Sequence, residues 1–241
     1  MGTGVKRSAA TVARWTAGVL LVSWRYLWEI TPLHRTVEAG DRSDVPRALP
    51  DELVDSRNQL LEHGVGPLFR RLFTVDVTGA HLSAEQLIDV IATDLKRVIP
   101  SEVTTVEDIG ACRGGLQVGD EMVIRIPGPW NGPVRVVHRS PTCFRFATLT
   151  GHLEAGQIEF RARPQAETLR FEIEAWARPA TRLVHLLYTH VRLAKEIQLN
   201  MWVRCCLATA GLAGGHPRSG VTITTRVVGT PFLPGPEAES R

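Results

Sequence analysis

Two side chains in the middle of the chain have the types and spacing that acid–base chemistry needs. His152 and Glu154 are one residue apart and lie between Gly151 and Gly156. A histidine titrates near neutral pH and a neighbouring carboxylate can orient its ring, which is the minimum requirement for general acid–base catalysis. The same spacing is typical of a turn in which both side chains hydrogen-bond the backbone. The sequence leaves both interpretations open, since no nucleophile or metal ligand stands near the pair.

His138 is the second candidate for a catalytic histidine. It shares the register of Val134 and Val136, so a regular strand would place its ring on the same face as these valines. If that face lines a pocket, His138 reaches the pocket. A histidine at the rim is the alternative.

Three carboxylates, Glu159, Glu172 and Glu174, could also act as paired acids and bases. However, they share a strand register with arginines such as Arg145 and Arg161. Opposite charges that face each other across neighbouring strands usually form ion pairs on the solvent side of a sheet. The pattern therefore favours surface ion pairs over catalysis.

Metal and cofactor chemistry has no positive signal in the sequence. The four cysteines, Cys112, Cys143, Cys205 and Cys206, form no C-x-x-C pair, and no nucleotide-binding or metalloprotease motif occurs. Unpaired cysteines are typical of a reduced, cytoplasmic protein. A net charge of +3, without a nucleic-acid-binding motif, also argues against nucleic acid as a partner. We therefore predict no metal, no cofactor and no nucleic acid.

Strict alternation between residues 119 and 180 predicts the elements that position these side chains. Apolar and charged residues alternate along the chain, which indicates an antiparallel sheet with one buried and one solvated face. The apolar face consists of Met122, Ile124, Ile126, Val134, Val136, Phe144, Phe146, Ile158, Phe160, Phe171 and Ile173. A long helix is predicted to begin near Thr181 and end at Gly211–Gly215.

A sheet of this kind followed by a long helix can enclose a pocket. Its apolar face suits a hydrophobic ligand, with few polar groups to set the ligand's orientation. The predicted ligand-contacting residues are Phe144, Phe146, Thr148, Phe160, Phe171, Trp130, Tyr188 and Trp202.

The N-terminal segment predicts a separate hydrophobic helix. Residues 11–30 are rich in tryptophan, but only residues 15–24 are free of charge, about half of the roughly 20 residues that a spanning helix needs. Tryptophan and arginine settle at the lipid headgroup boundary. We therefore predict a helix that lies on a membrane surface through Trp15, Trp24 and Trp28, or that packs on the protein itself. A single membrane span is the less favoured alternative.

A family resemblance rests on the stretches GPWNGPVRVV, FRFATLTGHLEAGQIEF and LRFEIEAWARP. They resemble the domain-of-unknown-function family numbered nineteen-ninety, which in turn resembles the START-like group of lipid-transport and polyketide-cyclase domains. The resemblance covers about residues 55–210, and Gly151-His152-x-Glu154-x-Gly156 is its most specific part. It implies an α+β helix-grip fold, in which a curved antiparallel sheet wraps over a long C-terminal helix. It implies no established activity.

The predicted organisation has four parts. Residues 1–35 form the hydrophobic helix, residues 36–54 a linker, residues 55–215 the helix-grip domain and residues 216–241 a mostly mobile tail. Within the tail, residues 221–228 could add an edge strand. Within the domain, a short helix is expected in residues 51–63, and Ser83 and Gln86 form a capping box for the next helix.

The leading functional hypothesis is a protein that binds a hydrophobic small molecule or a lipid in an internal cavity. We expect it in the cytoplasm, either free or at the inner face of the membrane. Two alternatives remain: a cyclase- or hydrolase-like enzyme that uses a pocket histidine, and a membrane-associated interaction module. The sequence does not decide whether the protein is an enzyme.

Overall fold

The described part of the chain comprises most of the predicted domain and the segments on either side of it. The computed structural model describes residues 33–99, 105–108, 114–125, 131–181 and 192–230. Residues 1–32 of the predicted N-terminal helix and residues 182–191 of the predicted long helix lie outside these residues. Residues 33–35, which the sequence assigned to the N-terminal helix, belong to the first strand instead.

One mixed sheet dominates the described residues, and it is almost entirely antiparallel. Its nine strands are β1 (Leu33–Ala39), β2 (Leu68–Thr78), β3 (Thr105–Asp108), β4 (Glu121–Arg125), β5 (Asn131–Ser140), β6 (Cys143–Thr148), β7 (Glu154–Gln165), β8 (Thr168–Pro179) and β9 (His216–Val228). Their order across the sheet is β1-β9-β2-β8-β7-β6-β5-β4-β3, and only the β1–β9 pair is parallel.

Two α-helices of the described residues pack on one face of this sheet, which we call the inner face. Helix α1 (Ala84–Thr93) lies against β6 and β7, and helix α2 (Arg192–Leu212) lies against β2, β8 and β9. The core between them contains stacked Phe144 and Phe160 rings, 4.8 Å apart, and Trp202 of α2 meets Phe160 edge-on at 5.7 Å. The predicted α+β fold, with a curved antiparallel sheet over a long C-terminal helix, is confirmed.

The capping box that the sequence predicts for α1 is present. The Ser83 hydroxyl accepts the Gln86 backbone N–H at 3.2 Å, and the Gln86 side chain accepts the Ser83 backbone N–H at 2.9 Å. This reciprocal pair satisfies two backbone donors that a helix start leaves unpaired. Leu87, Ile88 and Ile91 then face the core and are fully buried.

Residues 41–66, which we call the covering segment, cross the opposite, outer face of the sheet. The predicted short helix in residues 51–63 is replaced by two single 3₁₀ turns, Asp51–Leu53 and Leu61–His63. Outer-face arginines hold the segment. Arg135 donates to the Leu53 carbonyl at 3.0 Å, and Arg178 donates to the Leu61 carbonyl at 2.8 Å. The predicted linker at residues 36–54 is thus part of the folded structure.

Asp44 fixes the first part of the covering segment. Its carboxylate is 1% exposed and accepts from Arg70 of β2 at 2.6 Å and from Arg226 of β9 at 3.3 Å. Burial by itself would raise the pKa of Asp44, but the Asp41 backbone N–H and the two arginines outweigh it and lower this pKa.

Strand β9 differs from the predicted mobile tail at residues 216–241. It lies inside the sheet, between β1 and β2, where Ile223 faces Phe73 and Val221 faces Val75. Both β9 side chains are buried, and neighbouring strands satisfy its backbone on both sides. The folded domain therefore extends past residue 215 to at least Val228.

Gly156 provides a test of the β7–β8 pairing. A Cβ at this position would lie 1.9 Å from the Trp176 carbonyl oxygen, so Gly156→Ala should force the two strands apart. We expect a loss of at least about 2 kcal/mol in the free energy of unfolding, measured by urea denaturation. Gly211→Ala is the matched control, because a Cβ there meets no atom within 4 Å. Equal unfolding midpoints for the two variants would contradict the pairing.

Asp44→Asn tests the attachment of the covering segment. It should cost about 3 kcal/mol at neutral pH, because it removes a buried carboxylate that two arginines share. Since the folded-state pKa of Asp44 is lowered, its contribution is present above the unfolded value and is lost as pH falls below about 4. The difference in unfolding free energy between wild type and Asp44→Asn, measured in urea titrations, should therefore shrink in acid. Asp51→Asn, at an exposed position, is the control. A difference that does not change with pH would contradict this assignment.

Candidate functional site

A cavity lies between the inner face of the sheet and α2. Its volume is about 60 Å³, and it is partly open to solvent. The apolar wall includes Ile124, Val134, Phe146, Ile158, Ala175, Met201 and Trp202. Polar side chains that line it are Thr148, His152, Glu154, Gln157 and Gln198. The cavity is thus predominantly apolar, with a small polar region.

The covering segment fixes the turn that carries His152. The Gln59 side-chain amide donates to the backbone carbonyls of His152 at 2.8 Å and Glu154 at 2.7 Å. The Thr148 hydroxyl accepts the Gly156 backbone N–H at 2.9 Å and donates to the Gln59 carbonyl at 3.0 Å. The polar part of the cavity is therefore held by hydrogen bonds that join the covering segment to the end of β6 and the start of β7.

His152 is oriented by a backbone group. Its Nδ1 accepts the Glu154 backbone N–H at 2.9 Å, which assigns the ring proton to Nε2. Burial lowers the pKa of His152, although the Glu154 carboxylate and this hydrogen bond act in the opposite direction. The ring is accordingly neutral at neutral pH, with one nitrogen occupied and the other protonated. The ring therefore offers a hydrogen-bond donor rather than a base. Its hydrogen bond to the backbone fits the turn interpretation of the sequence.

The Glu154 carboxylate points to a different partner. Its Oε2 accepts from the Gln198 amide of α2 at 2.9 Å, and its Oε1 lies 3.9 Å from Nη1 of Arg71. Arg71 Nη1 also donates to Gln198 Oε1 at 3.0 Å. Glu154, Gln198 and Arg71 thus form one polar cluster that joins β7, α2 and β2.

Sequence reasoning missed Arg71, although a signal for it was present. Arg71 occupies the inward register of β2 with Phe73, Val75 and Val77, and its side chain is 2% exposed. A charged residue in an otherwise apolar register is costly to bury without a partner. That interruption in the strand pattern could have marked Arg71 as part of a site.

The structure separates the predicted ligand-contacting residues into three groups. Phe146, Thr148 and Trp202 line the cavity. Phe144, Phe160 and Phe171 are at most 1% exposed and belong to the packed core, outside the cavity lining. Trp130 and Tyr188 lie outside the described residues.

His138 does not reach the cavity. The β5–β6 register shifts between Val136 and His138, so His138 pairs with Arg145, which lies on the outer face. The bulge inserts one residue and reverses the face on which later side chains lie. His138 is therefore exposed, and the prediction that it shares the face of Val134 and Val136 is wrong.

The three carboxylates Glu159, Glu172 and Glu174 lie on the outer face in ion pairs. Arg145 bonds Glu159 at 2.6 Å, and Arg161 bonds Glu172 at 2.7 Å and Glu174 at 2.6 Å. The pairing follows the strand pattern, but the carboxylates are buried, at 3–7% exposure, and are not at the surface. They are remote from the cavity.

Two kinds of feature are absent from the described residues. No three His, Cys, Asp or Glu side chains among them are close enough together to hold a metal ion. Neither described α-helix has the length and apolar character that a membrane span requires.

An antiparallel sheet that holds a long helix against one face, with a cavity between them, defines a helix-grip protein. The chain belongs to the family described as Domain of unknown function (DUF1990), whose model matches residues 76–208, more than half of the sequence. The family resemblance of the sequence is thereby confirmed. No curated protein matches the chain.

Solved structures show weaker similarity. A protein of Thermus thermophilus is 13% identical with a TM-score of 0.44, over 61% of this chain and 99% of that one. The di-domain ARO/CYC StfQ of the steffimycin biosynthetic pathway is 12% identical with a TM-score of 0.42, over 61% and 52%. Major latex-like protein 151 of Panax ginseng is 10% identical with a TM-score of 0.38, over 55% and 97%. These similarities do not bear on what this chain binds.

The state of His152 predicts a pH dependence of stability. Because its folded-state pKa lies below the ordinary value of 6.5, the unfolded chain takes up the proton first, and stability is lost as pH falls through that value. Between about pH 7.5 and about pH 5.5, His152→Asn should therefore lose less unfolding free energy than wild type. His138→Asn, at an exposed position, is the control. Identical slopes for wild type and His152→Asn in urea titrations would contradict a half-buried His152 with a lowered pKa.

Proposed function

We propose that this protein binds a small hydrophobic molecule between the inner face of the sheet and α2. The composition of the cavity is the observation that supports this function. Aliphatic and aromatic side chains make up most of its wall, and the few polar groups are grouped around Glu154 and Gln198. Pockets for small molecules commonly combine an apolar wall with a few polar groups that set orientation.

The size of the cavity limits the ligand. The cavity, at about 60 Å³, is smaller than the roughly 300–1,000 Å³ of typical small-molecule sites. A ligand of this class would therefore be only partly enclosed and would extend out through the mouth. A single alkyl chain or a small ring system suits these dimensions better than a two-chain lipid.

The aromatic part of the core beside the cavity is closely packed. Phe144 and Phe160 stack at 4.8 Å and are almost completely buried. Unfilled space in a core costs stability, because the residues around it lose contacts. A cavity beside this tightly packed aromatic cluster therefore favours a binding role for the site.

The two alternative functions have less support among the described residues. A pocket histidine that acts as a base needs a free ring nitrogen, but Nδ1 of His152 is occupied and Nε2 carries the proton. The membrane-associated module depends on Trp15, Trp24 and Trp28, which lie outside the described residues. Contact with a membrane surface and a cytoplasmic location therefore stay predictions.

Ala175→Leu tests the proposed binding by filling the cavity. Ala175 lines the cavity from β8, so three added carbons would occupy ligand space. We expect wild type to bind decanol with a negative heat-capacity change, measured by isothermal titration calorimetry, because apolar surface is buried. Ala175→Leu should weaken this binding at least about tenfold. The control Ala208→Leu adds the same carbons at an exposed position of α2 and should bind as wild type does.

Two outcomes would overturn the proposal. In the first, wild type binds neither decanol nor decanoate. In the second, Ala175→Leu binds decanol as tightly as wild type while remaining folded, as judged by circular dichroism.

A further inference from the structure

The guanidinium of Arg71 is buried with three of its five N–H donors unpaired. Arg71 is 2% exposed, and its Nη1 donates to Gln198 at 3.0 Å. Its Nε and Nη2 have no hydrogen-bond partner in the part of the chain that the structure describes. Buried donors, especially on a charged group, nearly always have partners. Two unpaired nitrogens on the same side chain therefore call for an explanation.

The position of the two unpaired nitrogens is specific. Nε and Nη2 lie along one edge of the planar guanidinium, and their N–H bonds point in parallel. This edge matches the spacing of the two oxygens of a carboxylate, which it binds through two parallel hydrogen bonds. Nη1, which lies on another side of the group, is the nitrogen that Gln198 occupies. The unused part of Arg71 is therefore its carboxylate-binding edge.

Glu154 does not occupy that edge. Its nearest approach to Arg71 is 3.9 Å, to Nη1, and its Oε2 accepts from Gln198 instead. The Gln198 amide thus lies between the two charges, accepting from Arg71 and donating to Glu154. A side chain in this bridging position keeps the internal carboxylate from closing on Nε and Nη2.

The unpaired donors lie next to the cavity, and Arg71 itself is not part of its lining. Glu154 and Gln198, which contact Arg71, both line it, so the guanidinium lies directly behind its polar wall. Trp202 lies one helical turn beyond Gln198, on the same side of α2, and also lines the cavity. The Trp202 indole Nε1 is buried and has no hydrogen-bond partner among the described residues. Arg71 and Trp202 thus leave three unpaired groups near the cavity, all of them donors.

We infer that the ligand of this cavity carries a carboxylate, which is bound by the Nε and Nη2 edge of Arg71. The Trp202 indole N–H is a further donor for the same end of the ligand, and the apolar part lies against Phe146, Ile158 and Met201. This inference rests on the proposed function and adds the chemical class of the ligand: an apolar molecule with a terminal carboxylate. Arg71 is then the residue that selects acids over alcohols and esters.

A series of ligands of one chain length tests this selectivity. Wild type should bind decanoate at least about tenfold more tightly than decanol or methyl decanoate at neutral pH, in isothermal titration calorimetry. Arg71→Lys keeps the positive charge but has no two-donor edge, and it should remove the preference for decanoate. Arg70→Lys is the matched control, since Arg70 is the next residue of β2 and lies on the outer face. It should keep the preference.

The outcomes separate this inference from the proposed function. If decanol and decanoate bind wild type equally, or if folded Arg71→Lys keeps the preference, the carboxylate assignment is wrong and the apolar site stands. If no ligand of the series binds wild type, both proposals are wrong. The comparison of three ligands on wild type decides the matter even if Arg71→Lys fails to fold.

Discussion

The structure depends on charge compensation on the outer face of the sheet. Arg161 bonds three carboxylates from two strands, Glu159 at 3.1 Å, Glu172 at 2.7 Å and Glu174 at 2.6 Å. These carboxylates are buried, and a buried carboxylate without its partner would cost about 3–5 kcal/mol. Arginines on the same face also hold the covering segment through its backbone carbonyls. Because charges and backbone contacts complete the outer face, the inner face can be almost entirely apolar and can accommodate both helices and a cavity.

The same alternation explains how much of the fold the sequence predicts. Regular period-two patterns in β4 to β8 and the capping box of α1 carry local signals, and both are found in the structure. The position of β9 has no such signal, since its partner β2 lies far away in the sequence and Pro217 and Gly220 interrupt its pattern. The covering segment is equally hidden, because backbone carbonyls, which every residue has, make several of its contacts.

In the candidate site, too, some residues are predicted by local strand and helix patterns, and others are placed only by contacts between segments that are distant in the sequence. Phe146, Thr148, His152 and Glu154 could be placed at the cavity by counting along regular strands, and Trp202 by its place on the long helix. His138 was misplaced because a bulge of one residue changes no residue type and leaves no trace in the pattern. Arg71 came to the site from a strand about 80 residues before Glu154; its charge in an apolar register marks the residue, but only the structure shows its contact with Gln198. Distant pairs of this kind are fixed by packing.

The central claim is that the cavity binds a carboxylate through unpaired donors of the inner face. The most direct measurement is a proton–nitrogen NMR correlation spectrum of the arginine Nε–H and tryptophan indole N–H groups, recorded with and without decanoate. We predict that the Arg71 Nε–H signal moves downfield and exchanges more slowly with water, because it gains a charge-assisted hydrogen bond. The Trp202 indole signal should move with it, while Arg145 and Arg161 on the outer face stay unchanged. Movement of the outer-face signals alone, or an unchanged Arg71 signal at saturating decanoate, would contradict the account.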